Sequence, residues 1–70
     1  MVDEAQRLLE LALDLAREEA GQDAVKRLVE AANSPGDLLE ACRRVSLAAD
    51  GTGVLAFSYL TGAVRQILQE

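Results

Sequence analysis

Asn33-Ser34-Pro35-Gly36-Asp37 divides this chain in two. Ser34 reads as a helix N-cap, Pro35 as the first helical residue and Asp37 as the third, a near capping box with Asp in place of Glu. Proline suits that first position because the amide it lacks would have no intrahelical partner there. A helix therefore starts at residue 35, and whatever precedes Asn33 has ended.

Working forward, Leu38, Ala41, Cys42, Val45 and Ala49 recur at helical spacing. They make an inner stripe for a helix over residues 35–49. Glu40, Arg43 and Arg44 fall outside it, and Leu47 falls on that same outer side. Asp50-Gly51-Thr52-Gly53 is a second break, with Gly51 suited to a left-handed cap and Thr52 to capping the next helix. Residues 53–69 follow as a helix that is apolar over most of its girth. Such a helix lies centrally or is covered by something else.

Working backward, Val25, Leu28, Val29 and Ala32 give the inner face of a helix over residues 22–32. Ala5, Leu8, Leu9, Ala12, Leu13, Ala16 and Ala20 give that of a helix over residues 2–20. Leu11 and Leu15 widen the second of these faces beyond one neighbour. Gly21 is expected to end the first helix as its left-handed residue. Asp3 and Arg7 stand i, i+4 with the acid first, the favoured order for a helical ion pair. The expected fold is all-α: a small four-helix bundle built from two αα-hairpins, one domain over residues 1–70.

Two short stretches echo each other. Leu8-Leu9-Glu10 recurs as Leu38-Leu39-Glu40, and Gly21 as Gly51 at the same offset of thirty. Such an echo is the mark of αα-repeat architecture. The run from Asp3 to Leu13, continued by Ala24 to Ala32, resembles an αα-hairpin of tetratricopeptide-like or designed helical-repeat proteins. The likeness covers the first half and rests on an L-x-x-A-x-x-x-A cadence and a glycine after the first helix. The tryptophan, aromatic and proline positions of a natural tetratricopeptide repeat are missing. The resemblance implies a scaffold or peptide-binding surface and no chemistry.

Composition narrows the function classes. A chain of 70 residues buries a modest core and usually needs a staple. A single cysteine, Cys42, rules out an internal disulfide, and with no histidine one thiol cannot build a structural zinc site. Regular helix packing or self-association remains. Seven basic against twelve acidic side chains give a net charge of −5. That balance lacks the basic stripe of a nucleic-acid binder and would be repelled by an anionic membrane surface. The uncharged run Gly51 to Val64 is shorter than the ~20 residues a spanning helix needs. No basic segment followed by an apolar run marks a secretory leader, so a cytoplasm-like setting is expected.

No catalytic, metal or cofactor constellation stands out. Cys42 has no histidine to serve as base and reads as a small apolar core residue. Arg7 and Arg17 sit among the acids of the first helix and would neutralise a metal site there. Asp50-Gly51-Thr52-Gly53 lacks the lysine and the preceding strand of a phosphate loop. Ser58 and Gly62 stand four apart, a spacing that seats a neighbouring helix.

The expectation is a non-catalytic helical module that binds another helical protein or a second copy of itself as a homodimer. Its candidate interface is Leu11, Leu15, Leu47, Val54, Leu55 and Tyr59, surplus apolar surface of the kind that marks an interface. Two alternatives stand beside it. One is a stand-alone, engineered scaffold with no natural ligand. The other is a small-ligand pocket near Cys42, Ser58 and Tyr59.

Overall fold

The computed structural model describes residues 3–46 and 50–69. Four helices occupy them: α1 (Glu4–Arg17), α2 (Gln22–Ala31), α3 (Pro35–Arg44) and α4 (Gly51–Gln69). The fold is a small all-α four-helix bundle, as expected. Candidate interface residue Leu47 and the expected inner residue Ala49 lie outside the described residues.

The helix ends show which capping residues act. Ser34 caps α3 as read from the sequence, its hydroxyl accepting from the Asp37 amide at 3.4 Å with Pro35 in the first turn. At α1 the cap is Asp3, which accepts from the Gln6 amide at 2.8 Å. Asp3 is therefore outside the helix, and Arg7 pairs with Glu4 rather than with it. At α4 the cap is the Asp50 carboxylate, which accepts from the Thr52 amide at 3.1 Å. The helix starts two residues before the expected Gly53, with Thr52 already inside it.

Two other ends also depart from expectation. α3 stops at Arg44 rather than continuing to residue 49, and Val45 is extended at φ −68°, ψ 120°. Val45 and Ser46 are both weaker helix formers than the leucine, alanine and arginine before them. Val45 meanwhile packs its side chain against the core. α1 ends in a Schellman turn: the Glu19 amide reaches Ala16 O at 3.4 Å and the Ala20 amide reaches Leu15 O at 3.2 Å. The left-handed residue of that turn is Glu19, at φ 57°, and not Gly21. Gly21 also has positive φ, 58°, but as the N-cap of α2.

The packing follows from small and branched residues alternating on each inner face. α1 buries Ala5, Leu8, Leu9, Ala12, Leu15 and Ala16, while α4 buries Gly53, Ala56, Leu60, Ala63 and Val64. Leu28 of α2 and Leu38 of α3 complete the centre, both fully enclosed. Truncating any of these leucines to alanine costs roughly 2–5 kcal/mol, a large share of the stability of a small domain. α1 and α4 each pack against all three other helices, whereas α2 and α3 do not pack against each other. α1 and α4 thus form the centre of the domain, with α2 and α3 at its flanks.

Gly62 sets the seat of α2 on α4. A Cβ built there would stand 3.1 Å from Val25 Cγ2, so the glycine lets that valine nest against the α4 backbone. Ser58, its partner in the small-residue spacing, is exposed.

Glu19 carries a testable consequence. A side chain in the left-handed region costs roughly 1–2 kcal/mol, which glycine avoids while losing part of that gain to a more flexible unfolded chain. Glu19→Gly should therefore raise stability by about 0.5–1 kcal/mol in urea unfolding. A destabilised variant would contradict the left-handed assignment.

Candidate functional site

Acids and arginines tie the elements together on the side of α1 and α3. Arg44 donates to both oxygens of Asp3, at 2.9 and 3.0 Å, and to Glu40 at 3.2 Å. Arg43 adds a second bidentate grip on Glu40, at 3.1 and 2.9 Å. Arg7 donates to Ala31 O at 2.8 Å, so a side chain of α1 satisfies a carbonyl left open at the end of α2. Arg17 lies 3.5 Å from Asp14. Hydrogen bonds from Arg44, and then from the Gln6 amide, hold the Asp3 carboxyl below the usual carboxylate range. Arg43, and then Arg44, do the same for Glu40.

A cleft of about 340 Å³ opens beside this network, lined by Leu9, Leu13, Arg17, Arg44, Thr52 and Gly53 among others. Its two guanidinium groups already hold acids, and Asp50 accepts from one first-turn amide of α4, that of Thr52. Among the described residues no three His, Cys, Asp or Glu side chains converge as metal ligands, and no polar side chain is buried.

The second concavity has another character. A groove of about 670 Å³ runs between α2 and α4, with Gln22 and Val25 on one wall. Val54, Phe57, Ser58 and Thr61 form its floor, and Arg65 is its one charged residue. Val54 is 53% exposed, Phe57 42%, Leu55 43% and Leu68 68%. Arg65 makes no ion pair among the described residues, unlike the arginines of α1 and α3.

The candidate interface residues divide accordingly. Val54 and Leu55 are exposed on α4, and Tyr59 is half-buried at the groove. Leu11 is half-buried and packs against the core. Leu15 is 1% exposed and cannot contribute to a surface, because α1 is covered on three sides and the wide apolar face is consumed within the molecule. Ser58 and Tyr59 both line the groove, but Cys42 does not. Phe57 and Leu68 are the exposed apolar residues that sequence reasoning missed. On a helical wheel Phe57 and Leu68 lie beside the buried Val64, so periodicity alone does not part them from the core set.

Cys42 is half-buried on α3. Burial pushes its thiol up, against the opposing pull of a hydrogen bond with Thr61. Thr61 in turn donates to Phe57 O at 2.8 Å. No described helix is long and apolar enough to cross a membrane.

Compared with known proteins, the chain matches no family model, and neither a curated protein nor a solved structure matches it.

Two outcomes follow. Asp3 and Glu40 bind protons less readily folded than unfolded, so their stabilisation is complete above the ordinary carboxylate pKa and is lost as pH falls through the lower folded values. The urea midpoint should decline in acid, and the double change Asp3→Asn with Glu40→Gln should flatten that decline, most at low salt. An unaltered acid slope would show that these carboxylates contribute nothing. Separately, Cys42 in the native protein should react with a thiol reagent at pH 8 more slowly than in urea, as a half-buried thiol with little thiolate does. Equal rates would contradict its placement.

Proposed function

We propose that this protein is a non-catalytic helical interaction module that docks through the open face of α4. The observation that carries this reading is the exposure of Val54, Phe57 and Leu68 along one side of α4, with Leu55 exposed on its other flank. Surface of this kind on a small domain marks a contact with another macromolecule. Isolated exposed leucines, such as Leu39 on α3, are ordinary and carry no such meaning.

Charge supports the same face. Arg65 is the single charged residue of α4. Asp3, Glu10, Asp14 and Glu18, by contrast, are exposed on or beside α1. A charge-poor patch on an acidic protein loses little hydration when it is covered. Interface cores are depleted in charge for this reason.

Photo-crosslinking distinguishes the two sides. A photoreactive residue at Phe57 should give a defined adduct in the cells that make the protein, while the same group at Glu10 should not. Absence of an adduct at position 57, or equal adducts at both positions, would sink the assignment.

A further inference from the structure

We propose that the groove between α2 and α4 takes an amphipathic helix of another protein, one whose apolar stripe is bordered by aspartate or glutamate. This rests on the docking face proposed above and names the chemistry of its partner. The distribution of charge points to that chemistry. With seven basic and twelve acidic side chains, the chain has acids enough to pair every cation. Arg7, Arg17, Arg43 and Arg44, all on α1 and α3, are paired in this way. Lys26, Arg27 and Arg65, on α2 and α4, make no ion pair among the described residues.

Two of those three cations border the groove. Arg65 lines it, at one end of the row Val54, Ser58, Thr61 and Arg65, whose spacing of four, three and four residues keeps to one side of α4. Lys26 stands on the opposite wall, one turn of α2 beyond Gln22, which also lines the groove. Both cations are exposed. α4 contains no acid, and Asp23 and Glu30, the acids of α2, pair with neither cation. Between them the groove is apolar, with Val25 on its wall and Val54 and Phe57 on its floor. An apolar trough with a cation on each side complements a helix that has one apolar stripe and acids along its borders. Helix-in-groove docking works through such a stripe, with anchors at i, i+3, i+4 and i+7. From Val54 to Arg65 the floor runs about 16 Å, or roughly three helical turns. The exposed acids of α1 would repel the same segment, so charge also directs it to this side.

Fluorescence anisotropy with two labelled helical peptides of about 20 Å tests this on the full chain. One carries a leucine stripe bordered by glutamates, and the other has lysine in place of every glutamate. The acidic peptide should bind, more weakly as salt is added, and the lysine peptide should bind roughly tenfold more weakly or not at all. Lys26→Glu and Arg65→Glu should each weaken the acidic peptide about threefold or more, with circular dichroism unchanged. The double variant should gain affinity for the lysine peptide, a gain that mere loss of structure would not give. No binding of the acidic peptide, or equal binding of both, would overturn the acidic partner, whereas the docking face itself stands or falls on the adduct at Phe57. A rise in the mass of the chain alone with concentration, abolished by Arg65→Glu, would make a second copy the occupant and overturn the foreign one.

Discussion

The structure depends on how closely α1 and α4 approach each other. Every other packing in the domain is made onto that pair, because α2 and α3 touch both of its members and not each other. Close approach requires small side chains, and both helices supply them: Ala5, Ala12 and Ala16 on one, Gly53, Ala56 and Ala63 on the other. Leucines then fill the space between the flanks. With one cysteine in the chain and no convergent metal ligands among the described residues, this contact is the staple, and dispersion among tightly packed atoms is what it offers.

The polar interactions serve a different purpose. Arg7 fastens the end of α2 to α1, and Arg44 fastens the end of α3 to the start of α1. The first satisfies a carbonyl left open at the end of α2, and the second clasps the carboxylate that caps α1. These contacts are exposed, so they add little to stability, but they fix where the flanking helices end. α3 stops at Arg44, and Arg44 is the residue that reaches Asp3. The strain accepted at Glu19 fits the same picture. The turn there must reverse α1 within a few residues, and the Schellman hydrogen bonds hold a glutamate where glycine would sit more easily.

Helix number, helix type and much of the inner faces of α1, α2 and α3 were legible in the sequence, because apolar spacing is a local property, although Ala24, fully enclosed in α2, was not among the expected residues. The Ser34-Pro35 start was legible for the same reason. The cap of α4 and the end of α3 were not. Asp50 and Thr52 are both good caps by type, and only the path of the chain decides between them. Leu15 looked like surplus surface because its burial comes from helices distant in sequence. The face of α4 was half legible. An almost wholly apolar helix announces that something covers it, but which stripe its own chain leaves bare depends on where α2 and α3 pack. No sequence pattern records that placement, and so Phe57 and Leu68 escaped notice while Val54 and Leu55 did not.

The order of the helices along the chain has a consequence for how the protein is made. α4 is the last of the four to leave the ribosome, yet it is half of the central pair. Until it emerges, α2 and α3 have only α1 to lean on, and the leucines of all three lie open to solvent. At synthesis rates of about 5–20 residues per second, its nineteen residues arrive over roughly one to four seconds. Vectorial folding is therefore closed to this domain. Its nascent form must wait, uncovered, for α4, and in that interval it presents a larger greasy surface to chaperones and to neighbouring chains than the folded domain does.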